Sequence, residues 1–90
     1  MFFKRIPSIT WSELSRDDVI IDVREPHEFK VKSAHRAKNV PLSKISTFST
    51  HQTVYVMCQS GIRSKRAVKM MRKNGIDAIN IKGGMMAYGK

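Results

Sequence analysis

Cys58, the one cysteine of the chain, stands where a strand-like run meets a helix-like run: Thr53-Val54-Tyr55-Val56-Met57-Cys58-Gln59-Ser60-Gly61-Ile62-Arg63-Ser64. Thr53 to Met57 is β-branched, aromatic and apolar, which suits a buried strand. From Ser64 to Asn74 the apolar residues recur at helical spacing. A turn that leaves a buried strand and enters a helix aims backbone N–H groups, and the positive end of the helix dipole, at whatever it encloses. A thiol held there shifts toward thiolate, the form that attacks. An anionic sulfur adduct would be stabilised for the same reason. A lone cysteine is most often a small buried hydrophobe, but the neighbours argue for a nucleophile. Gly61 can take φ > 0 and curl the loop tightly. Arg63 places a fixed positive charge at the helix start, and Lys65 and Arg66 follow within one turn.

The elements that must position this loop are legible in outline. Ile6 to Ile9 is a short strand. Thr10-Trp11-Ser12-Glu13 matches a capping box that opens a short helix through Leu14. Val19 to Val23 is a continuous apolar strand of the kind buried on both faces of a parallel sheet. Pro26 fits the first turn of a short helix, where its missing N–H costs nothing. Lys38 to Pro41 is a very short strand, and Ser43 caps a small helix ending near Phe48. After Cys58, Ser64, Ala67, Val68 and Met71 share one helical face at i, i+3, i+4 and i+7. Asn74-Gly75 ends that helix, with Gly75 at the left-handed C′ position. Ala78 to Ile81 is the last strand, and Gly83-Gly84 turns into a final short helix, Met85 to Tyr88. Strands alternating with helices predict a parallel α/β sheet with helices on both faces. In such sheets sites form at the carboxyl ends of strands. Asp22 and Arg24 end one strand and Cys58 ends another.

Ninety residues predict one domain, 1–90, of modest core. A single cysteine excludes an internal disulfide framework and a Cys-rich metal site, so no metal or cofactor is expected. It fits a reducing compartment. Met1-Phe2-Phe3-Lys4-Arg5 is too short a hydrophobic opening for a signal peptide, and no stretch reaches the length of a membrane span. The expectation is a cytoplasmic protein with no membrane contact. Charge is unevenly placed: residues 1–28 carry six acids and four bases, residues 29–90 one acid, Asp77, and thirteen bases. A field this positive steers anions to the protein and suits an acidic protein partner. It also suits nucleic acid, but few aromatics are interleaved with the bases to stack on single strands, which disfavours that reading.

Four segments carry a resemblance. They are Ile20-Ile21-Asp22-Val23-Arg24-Glu25, Ala37-Lys38-Asn39-Val40-Pro41-Leu42, Cys58-Gln59-Ser60-Gly61-Ile62-Arg63-Ser64 and Gly83-Gly84-Met85. In this order and spacing they resemble the D-V-R-E, A-x-N-x-P-L, C-x-x-G-x-R-S and G-G-M motifs of the single-domain rhodaneses, which are thiosulfate or persulfide sulfurtransferases. The resemblance runs from about Ile9 to Tyr88. It implies a rhodanese-like α/β fold, a small parallel β-sheet with helices on both faces. It also implies that the Cys58 thiolate takes the outer sulfur of a small anionic donor and passes it to a thiol acceptor. The N–H groups of Gln59, Ser60, Gly61, Ile62, Arg63 and Ser64 would cradle that sulfur, with Arg63 holding the loop shape. Asp22 and Arg24 would brace the site. The alternative is a rhodanese-like sulfur carrier or partner-binding module with little catalysis of its own. Four residues separate Cys58 from Arg63, one fewer than the C-x5-R of cysteine phosphatases, so phosphatase activity is not expected. The chain departs from the family at Lys32-Ser33-Ala34-His35-Arg36-Ala37, where many members read G-H-I-x-G-A. A reshaped loop with His35 exposed is expected there. The chain reaches Lys90 soon after Met85-Met86-Ala87-Tyr88, where many members carry a tryptophan and a longer helix, and the Met pair is read as core filler.

Overall fold

The computed structural model describes residues 5–90. The hydrophobic opening Met1-Phe2-Phe3 lies outside the described residues. Five short strands form one sheet: β1 (Ser8–Ile9), β2 (Val19–Asp22), β3 (Lys38–Asn39), β4 (Val54–Met57) and β5 (Ala78–Ile81). All pair in parallel, in the order β1-β5-β4-β2-β3. Alternation along the strands divides the core in two. Ile21, Val54, Val56 and Ala78 pack on one side with Ile45 and with Ala67, Val68 and Met71 of α2 (Ile62–Lys73). Ile20, Tyr55, Met57 and Ile81 pack on the other with Trp11, Leu14, Met85 and Tyr88. Losing a fully buried side chain such as Met71 to alanine costs about 2–5 kcal/mol.

The strongest periodicity is realised without change: the buried residues of α2 are Ser64, Ala67, Val68 and Met71. The helix starts two residues before Ser64, because Gly61, with φ 117, serves as its N-cap. It ends in a Schellman closure. Gly75 has φ 80 and donates to the Arg72 carbonyl at 3.1 Å, while the Ile76 N–H reaches Met71 at 2.9 Å. The remaining helices are α1 (Pro26–Val31), with Pro26 first, and α3 (Gly84–Ala87). Two tighter 3-10 turns run over Trp11–Glu13 and Leu42–Thr47. The second is capped by Pro41, not by Ser43, which falls inside it. Only one of the paired methionines fills core: Met85 is buried, whereas Met86 is 59 % exposed. The turn before β3 keeps a left-handed residue, Arg36 with φ 67, at the second glycine of the family's G-H-I-x-G-A. There the arginine adopts a left-handed backbone of the kind glycine favours. No helix among the described residues is long and apolar enough to cross a membrane.

Candidate active site

The site lies where β2, β4 and β5 end side by side. The register sets Asp22 opposite Met57 and Val56 opposite Asn80, so the residues that follow these strands converge at one edge. Cys58, immediately after β4, is 1 % exposed. Its Sγ accepts the Gly61 N–H at 3.1 Å and the Ser64 N–H at 3.3 Å. These donors exist because a helix start leaves its first N–H groups without intrahelical partners. A glycine cap has no side chain to serve them, so the sulfur does. The Ser64 hydroxyl lies 3.5 Å from Sγ. Burial pushes the Cys58 thiol up. The Ser64 hydroxyl and the N–H groups of Ser64, Gly61 and Ser60 outweigh it and hold the thiol below its ordinary value.

The carbonyl side of the loop is fixed by α3. Met85 N–H donates to the Cys58 carbonyl at 2.9 Å and Met86 N–H to that of Gln59 at 3.1 Å. With their carbonyls held outward, the peptides of the loop present N–H groups inward. This approach requires a glycine: a Cβ on Gly84 would stand 2.1 Å from the Cys58 oxygen. The Trp11 indole N–H donates to the Gly84 carbonyl at 2.8 Å, which fixes α3 from behind.

Two ion pairs frame the loop. Asp22 and Arg24 form a buried pair, with Nη2 at 2.8 Å and Nε at 3.1 Å from the carboxylate. Arg24 also donates to the Lys32 carbonyl at 2.6 Å and reaches the Gln59 side chain at 3.4 Å. Both residues therefore brace the end of β2, the segment after α1 and the Cys58 loop. Removing one partner strands the other and costs about 3–5 kcal/mol. Arg63 grips Glu28 of α1 through two parallel bonds, 2.6 and 3.0 Å. The hydrogen bonds from Arg63 hold the Glu28 carboxyl down to about 2. The fixed positive charge expected at the helix start is thus matched by a carboxylate. Ile62, at 72 % exposure, faces solvent.

Two cavities flank the loop. One, about 370 Å³, is lined by Arg24, His27, Glu28, Val31, Lys32, Gln59 and Met85. The other, about 680 Å³, lies on the side of Ser60 and includes Trp11, Lys82, Met86 and Lys90. A larger groove of about 770 Å³ runs between Ile6-Pro7 and the end of α2, and its lining includes neither Cys58 nor any residue of its loop. Three site contributors were not singled out in the sequence. Glu28 reads as an ordinary helix acid, and Gly84 only as part of a turn. Asn80 carried a usable signal: an Asn inside a buried strand must find partners, and the Ser64 hydroxyl donates to its Oδ1 at 2.6 Å.

Comparison with known proteins agrees with this geometry. The family model described as "Rhodanese-like domain" matches residues 7–90. The chain is similar to the uncharacterised protein YqhL of Bacillus subtilis, 43 % identical over 75 residues that cover 78 % of this chain and 60 % of that protein. It is also similar to the adenylyltransferase and sulfurtransferase UBA4 of Yarrowia lipolytica, 34 % identical over 83 residues, covering 86 % of this chain and 21 % of that one. The chain thus spans less than two thirds of either relative. The crystal structure of a rhodanese-like domain protein from Staphylococcus aureus matches with a TM-score of 0.84 and 35 % identity, over 94 % of this chain and 93 % of that one. A parallel sheet of this order, matched from Pro7 to Lys90, leaves one assignment: the chain belongs to the rhodanese-like domain family, and its relatives include a protein named as a sulfurtransferase.

Proposed function

We propose that the protein is a thiosulfate or persulfide sulfurtransferase in which Cys58 carries the sulfur. The observation that supports this most is the direction of the donors: two backbone N–H groups converge on Cys58 Sγ from the loop and helix start. The donor enters by the cavity that Arg24, His27 and Lys32 line. The thiolate attacks the outer sulfur of thiosulfate, an Sγ–S bond forms, and the donor's S–S bond breaks with its electron pair leaving on sulfite. A thiophilic acceptor then attacks the outer sulfur of the persulfide, and Cys58 departs as thiolate. Preorganised N–H groups stabilise the negative sulfur in both steps.

A protein acceptor or donor is favoured over a small thiol by a second observation. Val31, 87 % exposed, and Met86, 59 % exposed, stand in the two cavities that flank the loop, beside Lys32, Lys82 and Lys90. An acidic protein segment carrying a cysteine complements such a rim. The reading of Cys58 is tested by intact-mass measurement after incubation with thiosulfate. A gain of one sulfur, about 32 Da, is expected on the native chain and none on Cys58→Ala, whose circular dichroism should match the native protein. A Cys58→Ala protein that still transfers sulfur to cyanide, or a native chain that gains no mass, would overturn it.

A further inference from the structure

Behind Cys58 lies a buried chain of side-chain polar groups that the attack on sulfur does not by itself require. Ser64 is 0 % and Asn80 1 % exposed, on the face of the sheet otherwise lined by Val54, Val56 and Ala78. The Ser64 Oγ has three neighbours: Asn80 Oδ1 at 2.6 Å, the Gly61 carbonyl at 3.1 Å and Cys58 Sγ at 3.5 Å. It has one proton to give. While Cys58 is a thiol, its S–H donates to Ser64 and Ser64 donates to Asn80, so every group is satisfied. Once the thiol is ionised, the sulfur needs donors, and the Ser64 proton is committed to the amide oxygen.

The other end of the amide resolves this. Asn80 Nδ2 lies 3.3 Å from the Ser8 hydroxyl, whose oxygen lies 3.3 Å from the Ile6 carbonyl. Both neighbours of the amide are hydroxyls, which donate or accept equally well. Reversing the amide lets Ser8 donate to Oδ1 and Nδ2–H donate to Ser64, whose own proton is then released toward the sulfur. We propose that Asn80 is a positioning residue for Cys58: its amide, held between Ser8 and Ser64, sets the direction of the Ser64 hydroxyl and by reversal turns it into a donor to the ionised sulfur. The proposal rests on Cys58 being the reactive thiol. The charged groups facing this site are the Asp22–Arg24 pair at the end of β2 and the Glu28–Arg63 pair between α1 and α2. Both pairs are left intact by the substitutions below.

The test is a double-mutant cycle on Asn80→Ala and Ser64→Ala, read as the midpoint of Cys58 alkylation by iodoacetamide against pH. Without Asn80 the Ser64 hydroxyl falls back on the Gly61 carbonyl and the thiolate loses a donor. A hydrogen bond to a charged group is worth about one pH unit, so Asn80→Ala should raise the midpoint by about that much. In the Ser64→Ala background the same substitution should leave it unchanged. Asn80→Asp keeps the shape but, when ionised, only accepts, and should raise the midpoint at least as far; it stands in if Asn80→Ala does not fold. An unmoved midpoint in a folded single variant, or an equal shift with and without the Ser64 hydroxyl, overturns the proposal. Alkylation reads the thiol whether or not sulfur is transferred. A failure here is therefore separate from a failure of the sulfurtransferase reading, which the mass measurement decides.

Discussion

Gly84→Ala makes the strongest demand on this structure. The added Cβ would stand 2.1 Å from the Cys58 oxygen and 2.9 Å from the carbonyl carbons of Cys58 and Gln59. Contacts of this kind do not occur under 3.0 Å. The first turn of α3 and the Cys58–Gln59 peptides must therefore separate by about 0.9 Å, the gap between those two distances. The obstructing atoms are backbone, so no rotamer change relieves the clash. The separation lengthens the bonds from Met85 and Met86 that hold the two carbonyls outward, now 2.9 and 3.1 Å. Once these carbonyls are free to rotate, the N–H groups of the same two peptides, those of Gln59 and Ser60, turn with them, and the sulfur loses the Ser60 N–H that helps to hold the thiol down. The backbone conformation adds to the effect, since Gly84 has φ 51. A left-handed residue other than glycine costs about 1–2 kcal/mol, and forced overpacking about 1–3 kcal/mol.

The expected loss is about 2–5 kcal/mol, a large share of the roughly 5–15 kcal/mol that holds a domain together. For a chain of this size it lowers Tm by about 10–30 °C. Well below the new Tm, sulfur transfer should fall by about 10²-fold or more, as when a positioned donor is withdrawn, and the Cys58 alkylation midpoint should rise. Gly83→Ala is the control. It also has positive φ, 77, and its Cβ would meet Ala87 Cβ at 2.7 Å, but it does not touch the loop. It should lower Tm and leave the alkylation midpoint in place. A Gly84→Ala protein with native Tm and native turnover would refute the account of how the loop is held.

Two further perturbations test the frame of the site. Arg63 holds the Glu28 carboxyl at about 2 against an ordinary 4.5, so the pair stabilises the fold fully above pH 4.5 and loses that contribution as pH falls through about 2. The pair is partly exposed, with side-chain exposures of 35 % and 26 %, and its worth is about 1 kcal/mol. Acid denaturation of Glu28→Gln should show that deficit near neutrality and none once the pH is well below 2. Arg36 occupies a left-handed backbone at φ 67 and its side chain makes one long bond, 3.4 Å, to the Arg16 carbonyl. Arg36→Gly should therefore raise stability by about 0.5–1 kcal/mol, visible as a Tm increase of about 2–8 °C by calorimetry.

What could be read from the sequence was whatever a local pattern dictates. The i, i+3, i+4, i+7 series of α2 and the Gly75 stop each follow from one contiguous stretch, and both are found as expected. The apolar runs gave the three long strands to within a residue. The placement of Cys58 followed from the same kind of local pattern. What was hidden depends on pairs distant in sequence. Glu28 and Arg63 are 35 residues apart, and nothing in either segment shows that α1 lies across the start of α2. The link between Ser64 and Asn80 spans 16 residues and exists only because β5 pairs with β4. Gly84 could be seen as a turn former. That it must also admit the Cys58 carbonyl requires the docking of α3, 26 residues on from Cys58.

The structure also moves the source of the thiol's acidity away from the basic side chains. Arg63 is bound by Glu28 and feels the charge of Cys58 only behind that nearer carboxylate. The largest influences on Cys58 itself are burial, the Ser64 hydroxyl and backbone N–H groups, all short-range and shielded from solvent. Salt screens exposed charges across about 10 Å at 0.1 M but does little to buried dipoles at contact. On the function proposed above, capture of an anionic donor would be different, because it would draw on the exposed bases of residues 29–90. Raising the salt from about 0.05 to 0.5 M crosses the range over which that field is screened. The alkylation midpoint of Cys58 should stay in place across it, while kcat/KM for thiosulfate declines. A midpoint that climbs in step with the loss of turnover would mean that surface charge, and not the inward-facing backbone, governs the sulfur.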